Sequence, residues 1–324
     1  MKRRHLLSAG LGLVAAPTIV RAQAKFPERP IRLVIPFAPA GPTDIIGRKV
    51  GEKMTGLMGQ TWVIDNKAGA AGSIGSVEVK NAKPDGYTLL FATSSTHAIN
   101  PTAYVKPLYD AVKDFTPISS ICVNPAVLAA RMDMPDTVTG LVDLMKKNPG
   151  KYSYGSSGTG GIFHLSGEYF KRSVGGMDVE HIPYKGSAPA LNDMMSGQLA
   201  WMFDTFATML PLHNAGKIRI LGVAYNARSA IAPQIPTMIE AGVKGYEAYT
   251  FNLILGPANM PKNVVERLVK AIEAEAGKPE FKKAALNINA TPLYQSSEQL
   301  LAYLEKQQEV SRDILQKNGV LKDK

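Results

Sequence analysis

From Ile31 onward, short apolar runs of strand character alternate with segments of helical period, and this alternation constrains the fold more than any other feature. The run Ile31-Arg32-Leu33-Val34-Ile35 is rich in β-branched residues and ends at Pro36. Pro39-Ala40-Gly41-Pro42 forces a loop. Thr43 or Asp44 can then cap a helix whose face carries Ile46, Val50, Met54 and Leu57, closed by Gly59. A strand over Trp62–Asp65, a helix over Ser76–Lys83 and a strand over Tyr87–Thr93 continue the rhythm. Such alternation predicts an α/β fold with a mixed, mostly parallel sheet.

A second unit with the same rhythm starts near Asn124. Its strands are expected over Ala126–Ala130, Tyr152–Tyr154, Val179–Ile182 and Ala200–Phe203. Helices are expected over Val138–Lys147, His164–Arg172 and Ala188–Ser196. A strand over Ile218–Tyr225 is expected to cross back. The tail holds helices over Pro261–Glu275 and Ser297–Lys317, the latter opened by a capping box of Ser296 and Gln299. The expected organisation is therefore an N-terminal segment 1–24, a first lobe over 25–123, a second over 124–224, and a return to the first over 225–324. Two crossing segments make a hinge, and the cleft between lobes is a natural ligand site.

The N-terminus reads as an export signal. Lys2, Arg3 and Arg4 precede the apolar stretch Leu6–Val20, and Ala22-Gln23-Ala24 offers a small-x-small cleavage pattern. The stretch is short and broken by Gly and Pro, whereas a membrane span needs about 20 apolar residues. Its removal takes away four cations and no acid, so the formal charge falls from +10 to +6. A modest positive excess suits an anionic ligand. Nucleic-acid binding would want a dense basic stripe, and pairs such as Lys146-Lys147 and Lys282-Lys283 read as solvated helix faces. The lone cysteine, Cys122, sits in an apolar run and reads as a buried strand position.

Three loops carry the chemistry. They are Pro36–Asp44, Thr93–His97 and Gly155–Gly161, each after a strand, where open α/β sheets place ligands. Glycine lets the backbone approach closely, hydroxyls add short donors, and N–H groups at a helix start favour an anion. Each charge-assisted bond contributes roughly 1.5–3 kcal/mol, so a few can hold a carboxylate without arginine. The third loop is not a phosphate-binding P-loop, because no Gly-Lys-Ser/Thr follows, and its glycine spacing is not that of a dinucleotide site. Ser156 or Ser157, His164 and Asp204 supply the residue types of a hydrolytic triad, but no Gly-x-Ser-x-Gly elbow surrounds either serine. His97, His164, His181 and His213 lack the close pairing of zinc sites. No metal, no cofactor and no catalytic step are expected.

Several segments resemble the Bug family of periplasmic binding proteins, the receptors of tripartite tricarboxylate transporters. They are Phe26-Pro27-Glu28-Arg29-Pro30-Ile31, the whole first loop, Pro84-Asp85-Gly86-Tyr87-Thr88-Leu89-Leu90, His97-Ala98-Ile99-Asn100-Pro101, and His181-Ile182-Pro183-Tyr184-Lys185-Gly186-Ser187-Ala188-Pro189-Ala190. The similarity runs from about residue 26 to the C-terminus. It implies a two-lobed Venus-flytrap fold that holds a small carboxylate between its lobes. The first-loop contacts it implies are Phe37, Ala38, Gly41, Thr43 and Asp44, and the third-loop contacts are Ser156, Ser157, Gly158 and Thr159. Ser94, Ser95 and His97 would line the cleft from the first lobe, and Tyr184, Lys185, Gly186, Asp204 and Thr205 from the second.

The chain departs from the family pattern at Ala40, where glycine is usual, and at Ile162 and Phe163, where small or hydroxyl residues are common. A left-handed conformation at Ala40 would be strained. With Phe206, the apolar pair points to an aromatic or otherwise apolar carboxylate, unless Phe163 packs under its own helix. The resemblance further implies a periplasmic monomer that passes its ligand to membrane permease subunits. The alternative is a sensor that presents the ligand to a membrane histidine kinase.

Overall fold

A computed structural model describes residues 26–103, 106–287 and 289–317. The expected export segment lies outside them. The chain opens with β1 (Ile31–Ile35), α1 (Pro42–Met58), β2 (Trp62–Asn66), α2 (Ser73–Lys80), β3 (Thr88–Thr93), a π-helical turn over Ser95–Ile99 and α3 (Asn100–Ala103). β4 (Phe115–Arg131) follows, and then α4 (Val138–Lys147), β5 (Ser153–Ser156), α5 (Ile162–Ser173), β6 (Glu180–Pro183), α6 (Ser187–Met195), β7 (Trp201–Thr205), α7 (Phe206–Asn214) and β8 (Ile218–Val223). The chain ends with β9 (Tyr249–Pro257), α8 (Lys262–Ala276), α9 (Pro279–Leu286), β10 (Thr291–Pro292) and α10 (Ser297–Lys317).

Two lobes result. In the first, β1 lies between β2 and β3 in parallel, as its apolar strand–helix alternation demands. In the second, β5 lies between β6 and β7, again in parallel. Antiparallel pairing is confined to strands that meet β4 or β9. β4 runs through both lobes. Phe115–Pro125 pairs with β9, and Ala126–Arg131 pairs with β7 and β8. Pro125 sits at the change of partner, where a residue without an N–H costs the ladder least.

The return passage differs from the sequence expectation. β8 pairs with the second-lobe half of β4, and Met238, Val243, Tyr246 and Ala248 pack in the core with Leu128 and Trp201. The chain therefore crosses back at the start of β9, near Tyr249, and not over Ile218–Tyr225. Ala126 donates to the Ala248 carbonyl at 2.9 Å, and Asn124 donates to Asn252 Oδ1 at 2.9 Å. These bonds tie the two crossing strands together. Cys122 lies buried beside them, as its apolar run predicts, and burial pushes its thiol up to about 12.

Each sheet buries both faces. Leu33, Ile46, Val50 and Met54 pack with Leu268 and Ile272 on one side of the first lobe, and Val34, Leu90 and Leu253 with Leu300 and Leu304 on the other. The amphipathic face of α1 and the helices after β9 are thus spent on a single sheet. α10 opens with the expected capping box, Ser296 and Gln299 exchanging hydrogen bonds of 3.0 and 3.3 Å. The second lobe is organised by Trp201, fully buried and stacked on Tyr154 at 4.4 Å, with Phe170 edge-on at 5.6 Å. Trp201→Ala leaves a cavity in this aromatic stack. It should cost about 3–5 kcal/mol, measured by urea unfolding, and a loss under 1 kcal/mol would mean the stack is not what holds the lobe.

Candidate functional site

The cleft lies where the carboxyl ends of β1, β3, β5 and the start of α6 meet. Phe37, Gly41, Pro42 and Thr43 line it from the first loop, and Thr93 and Ser95 from the end of β3. The second lobe contributes Ser157, Ile162, Phe163 and Ser187, and the return strand contributes Thr250. In this closed form the cleft encloses about 20 Å³, room for about one water molecule.

None of these residues carries a formal charge. The polarity comes instead from backbone. α1, α5 and α6 all begin at the cleft, with Gly41, Gly161 and Gly186 as their N-caps, and none of these glycines can supply a side-chain cap. Their N-terminal N–H groups carry partial positive charge and favour an anion. The helix thought to be capped by Thr43 or Asp44 starts earlier, at Pro42, because proline's fixed φ and missing N–H suit the first helical position. Thr93 Oγ1 lines the cleft, is buried and has no hydrogen-bond partner. A buried hydroxyl of this kind calls for a ligand or a water.

The lobes are closed on one another. Ala38 N–H donates to the Lys185 carbonyl at 3.3 Å, and Ile162 N–H donates to Ser95 Oγ at 3.0 Å. Two glycines permit this approach. A Cβ on Gly186 would stand 2.9 Å from Ala38 Cβ, and one on Gly158, at φ +142°, would stand 3.3 Å from the Ala71 backbone. Leu165 of α5 joins Ile99, Ala103 and Leu315 in a small apolar cluster that spans both lobes.

The residues implied by the family resemblance divide into groups. Phe37, Gly41, Thr43, Ser95, Ser157 and Phe163 line the cleft. Ala38, Gly158, Lys185 and Gly186 form lobe-to-lobe contacts through backbone, and the Lys185 side chain is exposed. Ser94 is tied to the crossing strand, accepting from Phe251 N–H at 3.0 Å and lying 3.1 Å from Thr250 Oγ1. Asp44 clamps the first loop, accepting from Ala40 N–H, Arg48 Nε and Asn66 Nδ2. Burial works to raise its carboxyl, but these hydrogen bonds and the Arg48 charge hold it below the usual range. Tyr184 donates to Asp193 at 2.6 Å; burial and that carboxylate push its phenol up to about 12. Thr159 is half-buried and does not line the cleft. His97 is fully buried in the first lobe, edge-on to Phe115 at 4.6 Å, and burial pushes it down to about 3. Asp204 and Thr205 are buried at the end of β7, behind Ser187. Phe163 both lines the cleft and enters the second-lobe core, whereas Phe206 packs wholly within a core.

Ser156 does not face the cleft. Its Oγ accepts from Gly158 N–H and donates to the Gly158 carbonyl, both at 3.2 Å, with His181 Nε2 at 2.7 Å. Burial, reinforced by the neighbouring His164, pushes His181 down to about 3, so the ring is neutral. A serine that is fully buried and bonded within its own loop and to His181 pins that loop and does not open on the cleft. Reading the sequence alone placed Thr93 in the second loop without giving it a contact, and missed Ser187 and Thr250. Ser187 follows a Lys-Gly turn at a helix start, a usable signal, whereas Thr250 reaches the site only because β9 is the return strand.

The fold and the site define a two-lobed binding protein of the periplasmic type, with a closed, uncharged cleft. The model of the tripartite tricarboxylate transporter family receptor matches residues 46–320, and the chain belongs to that family. A UPF0065 protein of Bordetella pertussis is 33% identical over 313 residues, covering 96% of each chain. The solved structure of the periplasmic binding protein BugD is 34% identical, covers 92% of this chain and 100% of its own, and superposes with a TM-score of 0.88. Rpa4515 of R. palustris, solved with adipate, is 32% identical, with 91% and 98% coverage and a TM-score of 0.87.

Ala40, where the family resemblance implies glycine, adopts φ +62°. An L-residue there costs about 1–2 kcal/mol. Ala40→Gly should therefore raise stability by about 1 kcal/mol in urea unfolding, and a loss would mean the loop needs the methyl group. Gly158→Val should hold the lobes apart. Its radius of gyration by small-angle scattering should exceed that of the wild type, and an equal radius would show that this approach is not needed for closure.

Proposed function

We propose that the protein is a periplasmic solute-binding protein that captures a small carboxylate in the inter-lobe cleft and delivers it to a tripartite tricarboxylate-type membrane transporter. One observation carries the reading: the glycine-capped N-termini of three helices meet at a cleft whose lining bears no formal charge. Such a site selects an anion through fixed backbone dipoles. Relatives of known structure are periplasmic binding proteins, and one holds adipate.

Phe37, Ile162 and Phe163 form the apolar side of the cleft. They favour a carboxylate with an apolar body, aliphatic or aromatic, over citrate. Gly41, Thr43, Ser95, Ser157 and Ser187 hold its charged end. Ligand shifts an open–closed equilibrium toward the closed form, and the closed monomer is what permease subunits read. The N-terminal segment 1–24 takes the protein to the periplasm.

A thermal-shift screen of aliphatic dicarboxylates, aromatic carboxylates, amino acids and neutral sugars tests the reading. A carboxylate at about 100 times its dissociation constant should add about 2.7 kcal/mol of stability. A shift from neutral or cationic compounds alone would overturn the carboxylate assignment.

A further inference from the structure

Side chains of β7 alternate between two cores. Trp201 and Phe203 join Tyr154 on one face, and Met202 joins Ala190 and Leu191 under α6 on the other. Asp204 follows Met202 onto the α6 face, at the carboxyl end of the strand, where Ser187 opens α6 and lines the cleft. It is completely buried. Its Oδ1 accepts from Thr205 N–H at 2.7 Å, while Oδ2 has no hydrogen-bond partner. The Ser187 and Thr208 hydroxyls stand close enough to favour its charged form, yet neither reaches Oδ2 in hydrogen-bonding geometry. Val127 lies opposite on β4, Ser187 on α6, and Thr205 and Thr208 at the start of α7, so none of these elements presents a charged group to it.

We propose that Asp204 is the proton-bearing specificity residue of the cleft, and that carboxylate binding is coupled to uptake of one proton at its Oδ2. The inference rests on the carboxylate reading above. An anion seated at the α6 N-terminus lies against Ser187, with Asp204 directly behind. Two negative charges in a site with no cation repel, so the buried carboxyl stays neutral while the ligand is bound. A protonated Oδ2 also leaves no unpaired charge in the interior, where an unpartnered carboxylate oxygen is most costly. Burial pushes the Asp204 carboxyl up to about 7 in the closed chain, against the Ser187, Thr205 and Thr208 interactions that lower it. A bound anion raises it further. The sign follows: below pH 7 the proton is already in place, and above it each binding event draws a proton from solution, so affinity falls as pH rises.

Titration calorimetry with adipate and with L-malate, from pH 6 to 9 in buffers of different ionisation enthalpy, tests this. Both acids are already fully ionised above pH 7, so the ligands contribute no slope of their own there. Proton uptake should approach one per ligand above pH 7, and the dissociation constant should rise about tenfold from pH 8 to pH 9. Asp204→Asn should give a flat profile and no uptake, whatever its absolute affinity. Binding by the wild type with a flat profile and no uptake would overturn the Asp204 inference alone, and needs no variant to be seen. A slope that survives in Asp204→Asn would assign the proton to another group and overturn it equally. Absence of binding by either acid at every pH would overturn the carboxylate reading and this inference with it.

Discussion

The antiparallel ladder between β4 and β9 is the constraint on which the rest depends. Both strands pass from one lobe to the other, so the ladder is at once part of the first sheet and the covalent joint of the molecule. Asn124 donates to Asn252 across it where the lobes part, and Cys122 Sγ lies against both buried amides. The joint decides which strand ends face one another. It brings the ends of β1 and β3 opposite those of β5 and β7, and these parallel strands carry their helix starts with them.

An anion site without a cation follows from that placement. Three helix N-termini point at one small volume, and their partial charges do not have to be desolvated or ordered when a ligand arrives. Nearby acids are handled in two ways. Asp44 is neutralised within its own loop by Arg48 and by backbone and amide donors, so its charge is spent on holding Ala40 in place. Asp204 has no such partner and is buried instead, which makes its charge state negotiable. The strain at Ala40, at φ +62°, persists because the Asp44 carboxylate over-determines the loop.

Closure uses contacts that do not involve a ligand. Ser95 accepts from the first N–H of α5, and Leu165 meets Leu315 of the C-terminal helix. α10 packs on the first lobe through Leu300 and Leu304 and reaches the second through Leu315, so its last turns register the position of both. Ser95 thereby has two competing uses, as a latch to α5 and as a wall of the cleft.

The strand–helix alternation, the first and third loops and the helix over Val138–Lys147 were legible in the residues themselves, because apolar period and turn chemistry are local. So were the buried cysteine and the capping box at Ser296. Local pattern could not say which strand returns. β8 and β9 are both apolar runs, and only long-range pairing with β4 separates the strand that stays from the strand that crosses. The same limit hid Thr250. It also left His97, Asp44 and Ser156 looking like cleft residues, although each turns to a partner inside its own lobe. The sequence by itself determined the elements and the backbone chemistry of an anion site. Which side chains face the cleft was decided by tertiary structure, since a side chain's direction depends on the neighbours that complete its packing and hydrogen bonds, and those come from distant parts of the chain.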